Sequence, residues 1–225
     1  EIGIDNTILT PLGVDTACFR PDRRDEALRE RWGVKPGDRV VLHAGRLSVE
    51  KGTDVVLAAV PALLRDPTVH VVVAGRGGLE ERVEAADREH DRFHYAGYIP
   101  DRDLMAAVFA SADAYLGTGP FETFGLSILE ALASGLPVVV ADQGAATELA
   151  VNSKAGNVFR TGDPASLAAE TGDLLSKDLA SLRSRARRYA EVQGTWTGTF
   201  DLMFGHYAEL VDRHRRDRRG GAVGP

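Results

Sequence analysis

The stretch Val40-Val41-Leu42-His43-Ala44-Gly45-Arg46-Leu47-Ser48-Val49-Glu50-Lys51-Gly52-Thr53 decides the fold. A short apolar run stops at a glycine, a polar glycine-bounded loop follows, and a segment with helical spacing begins at Thr53. This is the pattern of a buried parallel strand, a βα loop and a crossover helix. Outward from it the unit repeats. Further strands are expected at Val69 to Ala74, Ala114 to Leu116 and Pro137 to Ala141, with another ending near Ala96. Helices are expected over Thr53 to Leu64, Leu79 to Glu89, Asp101 to Phe109, Leu126 to Ala133, Pro164 to Leu175 and Leu179 to Ala190, and, after Gly194, over Trp196 to His214. Strand and helix in alternation imply an α/β, Rossmann-like, doubly wound parallel sheet. Such sheets bind ligands at the carboxyl ends of their strands, so the loops after Ala44, Ala74, Ala96 and Leu116 are the ones to inspect. Pro61, inside the first helix, predicts a kink or an early break there.

Composition narrows the function. The chain of 225 residues is 44% hydrophobic and 27% charged, enough for one globular core, and its net charge of −6 offers no overall positive field to a nucleic acid. The single cysteine, Cys18, excludes an internal disulfide or a cysteine-rich metal site and is expected to pack. No apolar run approaches the ~18 residues that cross a bilayer. Glu1 stands first, and Ile2 to Pro11 reads as an extended strand with nothing before it to pair with, so a fragment is expected.

Three loops carry candidate chemistry. In Gly45-Arg46-Leu47-Ser48-Val49-Glu50-Lys51-Gly52, two cations five residues apart can converge on a polyanion at a helix N-terminus, although surface Arg and Lys are usually only solvated. Gly75-Arg76-Gly77-Gly78 begins like a dinucleotide fingerprint but has Glu80 in place of the last glycine; a tight turn with close backbone approach explains it equally. In Phe121 to Pro137, Glu122 lies before a helix and Glu130 on its second turn, ~12 Å apart on wholly helical spacing. The pair could reach opposite ends of an extended ligand, with the N–H groups of Phe124, Gly125 and Leu126 meeting negative charge between them.

Taken together, these motifs resemble family 4 of the retaining, GT-B-fold glycosyltransferases. The resemblance rests on Leu12-Gly13-Val14-Asp15 with Phe19-Arg20-Pro21, Gly45-Arg46-Leu47 with Glu50-Lys51-Gly52, Gly75-Arg76-Gly77, and Glu122 with Glu130. It implies the C-terminal, donor-binding half of the fold: an interdomain link in 1–18, a nucleotide-sugar-binding domain in 19–195, and a crossover helix with a basic tail in 196–225. It further implies that Arg46 and Lys51 hold the donor diphosphate and that Glu122 contacts the transferred sugar. Glu130 would accept from the ribose, and Tyr98 and Ile99 would line the base pocket. Gly45, Gly75, Gly77, Phe124, Gly125 and Leu126 would bind donor through their backbones.

No metal or other cofactor is implied beyond the nucleotide-diphosphate sugar itself. Asp101-Arg102-Asp103 spells a D-x-D motif but is read as a helix cap. GDP-mannose is favoured as donor, giving a mannosyltransferase, and UDP-linked sugars stay open. A preceding acceptor domain is expected as partner, with the whole enzyme cytoplasmic or peripheral at the inner membrane face. Gly144-Ala145 departs from a pair of glycines in many members. The run from Arg213 to Arg219 is read as a solvated tail, with an anionic membrane surface as the sharper reading. Against the enzyme stand a non-catalytic sugar-nucleotide-binding module completed by a partner chain, and a nucleotide-sugar epimerase.

Overall fold

The computed structural model describes residues 7, 8 and 10–220, with side chains as far as Arg216. Most of the strand expected at Ile2 to Pro11 and the side chains at the end of the basic run fall outside them. A 3-10 turn at Pro21–Arg23 leads into α1 (Glu26–Arg31), after which strands and helices alternate. The elements are β1 (Arg39–Ala44), α2 (Thr53–Leu63), β2 (Val69–Ala74), α3 (Glu80–Glu89), β3 (Phe93–Gly97), α4 (Arg102–Ser111), β4 (Ala114–Gly117), α5 (Leu126–Ala133) and β5 (Val138–Ala141). The chain continues through α6 (Ala145–Ser153), β6 (Gly156–Phe159), α7 (Pro164–Ser176), α8 (Leu179–Gln193) and α9 (Trp196–Gly220).

Among the described residues six strands form one parallel sheet, in the order β3-β2-β1-β4-β5-β6, and β1 runs in register with β2 from Arg39 opposite Val69 to Ala44 opposite Ala74. This is the doubly wound arrangement, and its order reverses between β1 and β4. Successive strand residues face opposite sides. Val40, Leu42, Val72, Tyr115 and Val138 join one core with α4, α5 and α8, while Val41, Val71, Leu116, Val139 and Phe159 join the other with α2 and α7.

Helix starts follow the side-chain capping expected of aspartate. Asp25, Asp101, Asp163 and Asp178 each accept backbone N–H bonds at the first turn of their helix. Asp101 thus spends its carboxylate on Asp103 and Leu104 N–H, and Asp103 pairs with Arg23 at 2.9 Å.

Three elements correct the sequence reading. Pro61 neither breaks nor shortens α2, because it sits in the last turn, where the lost hydrogen bond is outweighed by burial of Val56, Ala59, Val60 and Leu63. The helix–strand pair α6–β6 lies beyond the expected strands and helices: β6 is an edge strand with only Phe159 fully buried. Ala145 fills the second position of Gly144-Ala145 as the first residue of α6, and only Gly144 has positive φ, at 72°.

The segment ahead of α1 packs firmly. Val14 and Phe19 are buried, Val14 N–H donates to Gly194 O, and the Arg187 guanidinium donates to the carbonyls of Thr16, Phe19 and Ala133. Cys18 packs against the same core.

Candidate functional site

At the switch point the carboxyl ends of β1 and β4 part, and their loops face each other across a cleft. Two arms meet at Gly45. The inner arm, about 50 Å³, is lined by His43, Lys51, Tyr115, Thr118, Glu122 and Ser127 among others. The outer arm, about 300 Å³, runs over Gly45, Arg46, Ala74, Gly75, Arg76, Tyr98, Ile99 and Met105.

The inner arm is organised around a charge pair. Lys51 Nζ lies 2.9 Å from Glu122 Oε2, and the other carboxylate oxygen of Glu122 accepts from Gly125 N–H at 3.1 Å. Glu122 therefore ties the β1 loop to the start of α5. Of the three N–H groups expected to face an anion, that of Gly125 is engaged by this carboxylate; those of Phe124 and Leu126 have no acceptor among the described residues. Gly125 needs its positive φ of 85° to turn the chain into α5.

Buried polar groups fix the loops beneath. Thr118 Oγ1 lies 2.9 and 3.1 Å from the carbonyls of Lys51 and Gly52, which share its single proton. His43 bridges Leu116 O, 3.0 Å from Nδ1, and Thr53 Oγ1, 3.1 Å from Nε2. A carbonyl can only accept, so Nδ1 carries the proton and Nε2 accepts from the threonine. Burial lowers the His43 pKa and keeps the ring neutral. Tyr115 donates its hydroxyl to Ala44 O at 2.9 Å, and burial raises its pKa.

The two glycine loops interlock. Leu47 N–H donates to Arg76 O, Leu79 N–H to Leu47 O, and Gly75 N–H to Gly97 O. A Cβ on Gly75 would run into Gly45 O, and one on Gly77 would meet Leu47 O at 2.5 Å. Close backbone approach accounts for both glycines, whatever ligand lies above them. Tyr95 Oη, 2.8 Å from Gly75 O and 2.7 Å from Glu80 Oε1, braces the same turn, which gives Glu80 a structural role where the fingerprint has glycine.

Of the remaining sequence candidates, Arg46, Tyr98 and Ile99 line the outer arm, whereas Glu130 lines neither arm. Arg46 is exposed in the outer arm, with Glu50 3.9 Å away, so the two loop cations line different arms. Tyr98 is exposed and Ile99 packs against the core. Glu130, on the second turn of α5, is mostly buried without a hydrogen-bond partner among the described residues; desolvation pushes its carboxyl up to about 7, with Arg102 opposing. His43, Arg76, Met105, Thr118 and Ser127 were not singled out as site residues from sequence. The signal available was a histidine and a threonine inside or just beyond otherwise apolar strands. Among the described residues no cluster of acidic, histidine and cysteine side chains could hold a metal ion, and no helix is long and apolar enough to cross a membrane.

Comparison with known proteins follows the same outline. Residues 24–193 match the family described as glycosyl transferases group 1. The chain is 39% identical over 199 residues to a GDP-mannose-dependent alpha-(1-6)-phosphatidylinositol dimannoside mannosyltransferase of Mycobacterium tuberculosis, covering 87% of this chain and 50% of that protein. In structure it resembles sucrose-phosphate synthase from Thermosynechococcus elongatus, with a TM-score of 0.79 at 23% identity over 93% of this chain and 54% of the other. It also resembles HepE of Anabaena solved with UDP and glucose, with a TM-score of 0.73 at 24% identity over 87% and 55%. The chain spans about half the length of the curated relatives it matches.

Proposed function

This chain belongs to the glycosyl transferases group 1 family, and from that premise we propose that it is the donor-binding domain of a retaining family 4 hexosyltransferase. GDP-mannose is the favoured donor, ahead of a UDP-linked sugar, and a preceding acceptor-binding domain completes the enzyme. The observation that carries this reading is the Lys51–Glu122 pair, 2.9 Å apart, in the inner arm of a cleft whose two arms meet at Gly45. A cation and a carboxylate side by side suit a ligand that is anionic at one point and rich in hydroxyls at the next.

In this reading the base lies in the outer arm and the diphosphate crosses Gly45. Arg46 and Lys51 stabilise the charge that grows on the β-phosphate oxygen as the bond from it to the anomeric carbon breaks. Lys51 turns from Glu122 to the phosphate, which frees Glu122 to accept from sugar hydroxyls. The acceptor hydroxyl attacks the anomeric carbon from the same face and its proton passes to the departing phosphate. Neither glutamate acts as nucleophile, and no metal is needed where side-chain cations face the diphosphate. Glu130 accepts from the ribose. The relative of Mycobacterium tuberculosis named for GDP-mannose supports the donor.

Isothermal titration with GDP, UDP, GDP-mannose and UDP-glucose, without metal, tests the proposal. One nucleotide class should bind, more weakly to Arg46→Ala and Glu130→Ala. No binding at millimolar concentration, or binding indifferent to both substitutions, would sink it.

A further inference from the structure

The outer arm holds a side chain that the donor-site reading leaves without a task. Arg76 rises between Gly75 and Gly77, and the loop around it is held in place: Leu47 N–H donates to Arg76 O, Gly75 N–H donates to Gly97 O, and neither glycine tolerates a Cβ. The direction in which the side chain leaves the loop is therefore set by the fold. Its guanidinium lies over the Tyr98 ring, 4.2 Å from the centroid, and forms no ion pair with a carboxylate among the described residues. Tyr98 is 55% exposed, and Ile99 and Met105 complete an apolar wall beside it. A rigidly launched cation with no anionic partner, resting on an exposed aromatic face inside a cleft, has the arrangement of a ligand-contact group.

On the reading of this cleft as a donor site, we propose that Arg76 determines the donor base, selecting a 6-oxopurine over a pyrimidine or adenine. A base stacks on an aromatic ring more strongly than an exposed cation does, so the base takes the Tyr98 face and the guanidinium moves to its edge. There its planar fork donates two parallel hydrogen bonds to O6 and N7 of guanine. Adenine offers N7 but meets the fork with the N6 amino donor, and uracil offers only O4, so each loses at least one of the two bonds. The loops of β1 and β2 then divide the labour: one contacts phosphate, the other reads the base.

Titration of the chain with GDP, inosine diphosphate, UDP and ADP tests the assignment, using the unaltered protein, Arg76→Ala and Arg76→Lys. A bidentate contact predicts that GDP and inosine diphosphate, which share O6 and N7, bind about tenfold or more tightly than UDP and ADP. Arg76→Ala should erase that preference while leaving UDP affinity within about threefold, because the phosphate contacts are untouched. Arg76→Lys keeps the charge without the fork and should behave like alanine in the ratio. An unchanged ratio of GDP to UDP affinity in Arg76→Ala, or a preference of the unaltered protein for UDP, overturns the assignment. If UDP binds best and Arg46→Ala still weakens it, the donor-site reading stands and only the role of Arg76 falls; if none of the four nucleotides binds, both fall.

Discussion

Raising the pH from about 6 to about 8 is expected to tighten binding of a nucleotide-diphosphate sugar roughly tenfold, because Glu130 changes charge in that window. Its carboxyl is pushed up to about 7 by desolvation, only partly offset by Arg102. One unit below that value about one-tenth of the molecules carry the carboxylate, and one unit above about nine-tenths do. Ribose hydroxyls donate to a carboxylate more strongly than to a neutral acid, so the competent fraction multiplies the apparent affinity. A sugar diphosphate is fully ionised throughout, which leaves the proton uptake or release to the protein. Calorimetry with GDP-mannose across this range, in buffers of different ionisation enthalpy, reads both the affinity and the proton released. In Glu130→Gln the slope should vanish and the affinity should stay near the low-pH level. A flat profile in the unaltered protein, or an identical slope in Glu130→Gln, would refute the reasoning. The same shift fixes a sign for stability. A carboxyl whose pKa is higher folded than unfolded favours the fold below 4.5 and loses that contribution as pH rises through about 7. Glu130→Gln should therefore melt progressively higher, relative to the unaltered protein, as pH rises through this window.

Lys51→Ala should weaken nucleoside diphosphate binding by about 1.5–3 kcal/mol, the range for a hydrogen bond to a charged group. Glu122→Gln should instead tighten a free diphosphate, since it removes the carboxylate competing for Lys51, while weakening the sugar-linked form; calorimetry compares the two. Gly75→Ala forces a side chain at φ 136° into the Gly45 carbonyl and should lower stability by about 1–3 kcal/mol in urea titration, whereas Gly78→Ala meets open space and should be neutral. Asp113 is buried between the guanidinium groups of Arg29, at 3.0 Å, and Arg183, at 2.6 Å, and also accepts from Val40 N–H. Asp113→Ala should lose about 3–5 kcal/mol in the same titration.

The fold was legible because its signals are local. Apolar runs bounded by glycine or proline mark β1, β2 and β5, and 3.6-residue spacing marks α5, α7 and α8, each without reference to the rest of the chain. Legibility failed where an element is stabilised mainly by its neighbours. β6 is an edge strand with one fully buried side chain, and the end of α2 survives Pro61 because the sheet and α7 hold it.

Within the site, the sequence by itself pointed to the loops after β1, β2, β3 and β4 as candidates, with Arg46, Lys51, Tyr98 and the glutamates Glu122 and Glu130 on or beside them. Only the tertiary structure decided how they meet. Lys51 and Glu122 lie 71 positions apart and come within 2.9 Å because the strand order reverses between β1 and β4. That reversal also brings Thr118 beneath the Lys51 loop, while Arg46 lines the other arm beside the loops of β2 and β3. Arg76, one more loop cation in the sequence, meets Tyr98 only because β2 and β3 are neighbours. Local spacing carries the periodicity of an element; which loop ends share a cleft depends on strand order, a property of the whole sheet.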